Sequence, residues 1–323
     1  MFFQKMIFSW ILITTIFMGI SSSCWFILWM TLEINLMVYI PLMNSKNFLS
    51  SNSMLIYYII QSFSSSLFFF SSLLETVYKT NMLIFLILMS MMIKLGAPPF
   101  HVWFPQISEG LNLYPFFILL TLQKMIPLFI ISIFNNIFII PFIIISSITG
   151  SIGGFNQISM KKILAFSSIS HLAWMMSLII CNQFFWMMYL LIYSMILLKI
   201  SMNFKKNYIV SINNFNLMKL NFFNKVSMIT LFLSLGGLPP FLGFFMKWMT
   251  VILILKNFPL ILLILIPSSL INLFFYTRVV FPTLLKFNIL MKPFQIYSNF
   301  KKNWMIFMNF LSIIILTPLI MIM

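Results

Sequence analysis

From about residue 6 to residue 322 the chain is a succession of apolar stretches separated by short polar interruptions. Each is about as long as a membrane is thick, since a helix needs about 20 mostly apolar residues to cross the hydrocarbon core. Eleven such stretches can be read, at about 6–21, 24–43, 54–73, 80–105, 112–134, 137–154, 162–181, 183–203, 226–255, 258–281 and 304–322. None shows sustained period-two alternation, which excludes a transmembrane β-barrel. In lipid the backbone must satisfy its own N–H and C=O groups, so helices are the remaining solution. The expected fold is all-α: a polytopic membrane protein with eleven spans.

Composition enters here as a check. With 62% hydrophobic and 7% charged residues among 323, the chain lacks the polar side chains to cover a soluble globule. Phe (40) and Met (28) are abundant while Ala (three) and Arg (one) are scarce. The abundant residues have A/T-rich codons, which suggests an A/T-biased genome such as a mitochondrial one. Individual Phe and Met residues therefore receive no functional weight. Two Cys and two His exclude a four-Cys iron–sulfur cluster, a four-ligand structural zinc site and a disulfide framework. No bound metal or cofactor is expected. No cleavage site or Arg-rich transit peptide is visible, which leads to the expectation of synthesis inside the organelle.

The net charge of +16 raises nucleic-acid binding, but the basic residues sit in short loops and not in one patch. The excess of Lys and Arg on one membrane face explains them better. With eleven spans, thirteen basic residues fall on the N-terminal side: Lys5, Lys46, Lys161, Lys162, Lys205, Lys206, Lys219, Lys225, Arg278, Lys286, Lys292, Lys301 and Lys302. Only Lys79 and Lys256 fall on the other. The N-terminus is thus expected inside and the C-terminus outside. The long loops at about 204–225 and 282–303 lie on the inside.

Four lysines remain. Lys199 is near a span end and can snorkel to the interface. Lys94, Lys124 and Lys247 sit deeper, and Glu33 joins them ten residues into its span. A charge at mid-bilayer costs about 2.5–3.5 kcal/mol, so four isolated ones would cost about 10–14 kcal/mol. They require a polar interior, partners or water. One reading is an ion or proton pathway and the other is a structural salt bridge. Three Lys against one Glu cannot all pair, which favours the pathway. His171, mid-span, is either a packing residue or a proton relay. His101 is expected to cap backbone carbonyls, and Glu75 and Glu109 read as loop residues.

Two spans carry breaks. The fourth contains Lys94-Leu-Gly96-Ala-Pro98-Pro99-Phe-His101, and the ninth contains Gly236-Gly237-Leu-Pro239-Pro240-Phe-Leu-Gly243 with Lys247 shortly after. Proline removes a helix donor and clashes with the carbonyl four residues back. The breaks are five spans apart. Spans one to five and six to ten would be equivalent halves of opposite orientation, an arrangement that points to a transport site. The expected division is residues 1–134, residues 135–281, and a loop with a last helix over 282–323.

In chain order, Trp29-Met-Thr-Leu-Glu33-Ile-Asn35, Lys94-Leu-Gly-Ala-Pro-Pro-Phe-His-Val-Trp103-Phe-Pro105, Gln123-Lys124, Gly153-Gly154-Phe-Asn156-Gln157, Lys162 to Trp174 and Leu235 to Trp248 resemble the NADH dehydrogenase subunit 2 family of mitochondrial respiratory complex I. The resemblance covers about Ser22 to Trp248. Beyond that it extends only to hydrophobic spans. It implies an antiporter-like membrane-arm subunit of the proton-pumping NADH:ubiquinone reductase, with eleven helices in the animal form. It further implies proton handling by Glu33, Lys94, Lys124 and Lys247, with Glu33 paired to Lys94 and His171 on the central polar axis. NADH, FMN, iron–sulfur clusters and ubiquinone would be bound elsewhere in the complex. The expected partners are other membrane-arm subunits and phospholipids, with cardiolipin a candidate, and no nucleic acid. The expected location is the mitochondrial inner membrane, N-terminus in the matrix and C-terminus in the intermembrane space. Leu122 stands where the family leads one to expect Trp, Met246 where it leads one to expect Pro, and Leu111–Tyr114 is unusual. Three other readings stay open: a free-standing cation/proton antiporter, a structural subunit, and an ATP-synthase channel subunit, whose essential Arg would have to be Arg278 at a span end.

Overall fold

The computed structural model describes residues 2–289 except 46, 135, 182–183, 208, 213, 215–221 and 240. The expected eleventh span, the loop at 282–303 beyond residue 289, and Pro240 therefore lie outside the described residues.

Thirteen α-helices occur among the described residues: α1 (Phe2–Ser21), α2 (Trp25–Met43), α3 (Phe48–Tyr78), α4 (Asn81–Leu95), α5 (Trp103–Gly110), α6 (Leu113–Leu120), α7 (Leu122–Phe134), α8 (Ile140–Phe155), α9 (Met160–Cys181), α10 (Phe185–Asn207), α11 (Phe222–Gly236), α12 (Leu242–Asn257) and α13 (Pro259–Ile289). Eight helical segments are long and apolar enough to cross a membrane, and α4 and the 225–236 stretch of α11 are shorter apolar helices. The only extended pairing among the described residues is one bridge between Ser159 and Ser211.

The serine-rich α3 satisfies its hydroxyls within the helix, as Ser64 Oγ donates to Gln61 O at 2.8 Å. It runs to Tyr78, so Glu75 belongs to its last turn and not to a loop. Glu109 likewise belongs to α5, where its carboxylate pairs with Lys162 at the start of α9 at 2.8 Å. That pair ties the end of α5 to the start of α9.

Helix α9 is the hub, packing on α5, α7, α8, α10, α12 and α13. Its best apolar window is 89% buried, against 22% for α1, so α9 sees protein on nearly every side. This explains why α9 carries Ser167, Ser168, Ser170, His171 and Ser177, all buried. Small residues let its neighbours approach. A Cβ on Gly150 of α8 would lie 2.6 Å from the Ser170 nitrogen.

Both expected breaks are present, and they share one geometry. Helix α4 ends with Gly96 at φ +66°, with Ala97 N bonded to Met92 O and Gly96 N to Ile93 O. Helix α11 ends with Gly237 at φ +78°, with Leu238 N bonded to Leu233 O and Gly237 N to Ser234 O. Each is a Schellman cap, which needs a left-handed residue after the helix and so favours Gly. The fifth span, expected to be continuous, is interrupted as well. Thr121 leaves the helix at φ −123° and ψ −76°. Its hydroxyl takes the Phe117 carbonyl at 2.8 Å, the acceptor its own N–H would use, and the N–H shifts to Ile118 O.

Candidate functional site

Each deep lysine is buried beside one of these three interruptions. Lys94 is in the last turn of α4, Lys124 is in the first turn of α7, and Lys247 is on α12 one turn past its start. Their exposures are 7%, 2% and 8%, so none snorkels to water. Each ammonium donates to a backbone carbonyl: Lys94 Nζ to Gln61 O at 3.3 Å, Lys124 Nζ to Ser168 O at 3.2 Å, and Lys247 Nζ to Gly236 O at 2.8 Å.

The prolines explain two of these sites. In an intact helix the Lys94 carbonyl would accept from residue 98 and the Gly236 carbonyl from residue 240. Both positions are proline in the sequence and have no N–H to give. The freed Lys94 carbonyl accepts from Gln61 Nε2 at 3.2 Å, reciprocating the bond from Lys94 Nζ to Gln61 O. The freed Gly236 carbonyl takes Lys247 itself. In both cases a cation sits at the carbonyl end of a half-helix, where the helix dipole favours positive charge. Lys124 lacks that support, being at the amino end of α7. Its ammonium instead lies 5.5 Å from the Phe104 ring centre and 5.9 Å from that of Tyr193.

Glu33 is half-buried on α2. Among the described residues no carboxylate oxygen lies within 4 Å of Lys94 Nζ, whose partner is Gln61, although the Glu33 and Lys94 charges remain electrostatically coupled. Between Lys94 and Lys124 lies a small cavity lined by Tyr57, Gln61, Leu95, Phe104, Leu119 and Gln123 with the two lysines. It has room for roughly one water molecule. Gln123 closes one side, donating to Asn35 Oδ1 at 3.1 Å and accepting from Tyr57 at 3.3 Å.

His171 is 3% exposed, and its Nδ1 is 2.6 Å from the Tyr189 hydroxyl. Its ring lies within electrostatic reach of both Lys124 and Lys247. His101 does not act as the expected cap through Nδ1, which is buried with no protein partner. Sequence reasoning did not single out Gln61, Tyr57, Tyr189 or Tyr193. The only available signal was a lone amide, Gln61, inside an apolar stretch. Among the described residues no three His, Cys, Asp or Glu side chains converge as a metal site would require.

Several comparisons bear on this arrangement. Residues 22–274 match the family model for the transmembrane part of NADH:quinone oxidoreductase and the Mrp antiporter. The chain is similar to the NADH-ubiquinone oxidoreductase chain 2 of Rhipicephalus sanguineus, 44% identical over 95% of this chain and 97% of that one. It is 42% identical to the chain of the same name from Anopheles gambiae, covering 90% of this chain and 86% of that one. For the Mus musculus chain the values are 36%, 83% and 84%. Among solved structures, a chain of the Mrp complex from Dietzia sp. superposes with a TM-score of 0.74 at 16% identity, covering 83% of this chain and 58% of that one. A chain of respiratory complex I from Thermus thermophilus gives 0.70 at 17%, covering 87% and 69%. The fold is therefore shared with both kinds of assembly, and the sequence is shared with the chain 2 proteins.

Proposed function

The chain belongs to the NADH-ubiquinone oxidoreductase chain 2 family, and from that premise we propose that it is a proton-translocating membrane-arm subunit of complex I. The observation that carries the proposal is the set of three buried lysines, each beside a helix interruption, each held by a backbone carbonyl, and none with a carboxylate within 4 Å among the described residues. A purely structural charge would be expected to have its counter-ion. A lysine held only by a neutral carbonyl keeps a hydrogen bond whether or not it carries its extra proton.

Burial disfavours a charged ammonium and a nearby carboxylate favours it. Approach of Glu33 toward Lys94 then retains the proton on Nζ, and its withdrawal releases it. The water-sized cavity links Lys94 to Lys124, and the change in charge biases Lys124 and then Lys247. The redox chemistry, with NADH, FMN, iron–sulfur clusters and ubiquinone, belongs to other subunits in this reading. The matched Schellman ends of α4 and α11 support two inverted halves, residues 1–134 and 135–281. The charge distribution supports an N-terminus in the matrix, and the family supports the mitochondrial inner membrane and neighbouring membrane-arm subunits.

Gentle detergent extraction and native gels test the assembly. The chain is expected in a large particle that oxidises NADH, whereas a small oligomer without that activity would favour a free-standing antiporter. Lys247→Ala in assembled particles is expected to lower the protons moved per NADH oxidised. An unchanged number would remove Lys247 from the path.

A further inference from the structure

Arg278, the one arginine of the chain, is half-buried on α13, close to Pro282 where the apolar span of that helix ends. Its guanidinium reaches across to the end of α8. Nη1 donates to Phe155 O, and Nη2 donates to Gln157 O at 2.7 Å. These bonds satisfy carbonyls that a helix end leaves free. They do not neutralise the charge. The chain has three acidic side chains, Glu33, Glu75 and Glu109. Glu109 is engaged by Lys162, and none of the three lies within 4 Å of the Arg278 guanidinium. Residues 283–323 contain neither Asp nor Glu. The counter-charge of Arg278 must therefore come from outside the chain.

The guanidinium also has donors to spare. It carries five N–H groups in a planar fork. Each terminal nitrogen makes one bond to the described residues, which leaves a second N–H on each. Beside it lies an open groove of about 360 Å³, lined by Phe274, Thr277, Phe281 and Pro282 together with Arg278. Phe274 and Phe281 are 51% and 59% exposed. Phe274 is held by stacking on Phe155, with ring centres 5.2 Å apart and planes at 11°. The Thr277 hydroxyl donates to Phe274 O at 2.8 Å, so Arg278 is the only side chain lining the groove with a donor left. The site thus offers one cation and an apolar wall on a membrane-spanning helix. An acidic protein segment would find a single polar partner there. An amphiphile with one anionic head and an apolar chain finds a partner for both of its parts.

We propose that Arg278 and the groove beside it bind an anionic phospholipid, with its phosphate on the guanidinium and an acyl chain along Phe274, Phe281 and Pro282. Arginine suits the role, because its fork matches phosphate oxygens and its charge persists at any physiological pH. Basic pockets between membrane helices are a recurrent way to hold such headgroups. The bound lipid supplies the missing counter-charge. It also covers two exposed phenylalanines and clamps α13 against the end of α8, since Phe155 provides both a carbonyl to Arg278 and a ring to Phe274. The site does not depend on the translocation reading.

The test uses assembled particles in phosphatidylcholine vesicles that contain a minor fraction of phosphatidylglycerol with a photoreactive group on one acyl chain. After illumination the labelled peptides are mapped. Label is expected in residues 274–282, and a matched photoreactive phosphatidylcholine should label them far less. Arg278→Gln removes the charge and keeps a donor for the Phe155 carbonyl. It is expected to lower the phosphatidylglycerol label roughly fivefold, the effect of one arginine at an anionic surface. Thr277→Glu leaves Arg278 in place and puts a carboxylate in the groove. It should lower the label as well, and it serves if Arg278→Gln does not assemble. An excess of inorganic phosphate should leave the label in place, and its loss would assign the site to free phosphate and overturn the lipid. Equal label from phosphatidylcholine, no label in residues 274–282, or undiminished label in either assembled variant would also overturn the proposal.

Discussion

Gly243→Ala should separate the two halves of the broken helix pair α11 and α12. An ideal Cβ on Gly243 would fall 1.4 Å from the backbone oxygen of Ser234, while ordinary contact begins at 3.4 Å. The backbones must therefore part by about 2 Å, the difference between those two distances. Neither atom can rotate away, since one is fixed by the α12 backbone and the other belongs to the α11 backbone. Overpacking typically costs about 1–3 kcal/mol. Lys247 is one turn further along α12, so the same shift breaks its 2.8 Å bond to Gly236 O. A hydrogen bond to a charged group contributes about 1.5–3 kcal/mol. The sum, about 2.5–6 kcal/mol, corresponds to roughly a hundredfold to ten-thousandfold in an equilibrium constant. The assay is the amount of chain in the assembled particle and its thermal loss, with Gly236→Ala as the control. A Cβ on Gly236 meets nothing closer than 3.6 Å, so its particle should assemble at near-native levels. Native abundance and thermal stability for Gly243→Ala would refute the reasoning.

Other perturbations separate tertiary from surface effects. Gly150→Ala should be destabilising in the same assay, because its Cβ would lie 2.6 Å from a backbone nitrogen of α9. Gln61→Leu strips the Lys94 carbonyl of its donor, and a melting experiment on the particle should register about 1–3 kcal/mol of lost stability. Glu109→Gln breaks an ion pair whose side chains are 29% and 49% exposed, so the change should stay below about 1 kcal/mol and leave particle yield unaltered.

The helical breaks at residues 96–99 and 236–240 were legible because proline's missing N–H is covalent and acts wherever the residue sits. The left-handed caps at Gly96 and Gly237 were not read from the sequence, although glycine is the residue that tolerates positive φ without cost. The interruption at Thr121 was not legible either. Threonine is compatible with a helix, and the break depends on its hydroxyl competing for the Phe117 carbonyl. Burial of Lys94, Lys124 and Lys247 followed from the scarcity of charge around them. Their partners did not, because Gln61, Ser168 and Gly236 are chosen by how helices pack. The partnership of Glu33 with Lys94 was what the family resemblance implied. The register of α2, α3 and α4 instead puts the Gln61 carbonyl at the ammonium. Glu75 and Glu109 were read as loop residues because charge usually marks a span end, yet α3 and α5 carry their helices past it.

The most direct measurement of the central claim is the proton-to-electron ratio of assembled particles carrying Lys124→Gln. Gln keeps a polar head near the Ser168 carbonyl but cannot take up and release a proton at neutral pH. Continued NADH oxidation with fewer protons moved per electron is the predicted result. A native ratio at native abundance would contradict the claim that the buried lysines move protons.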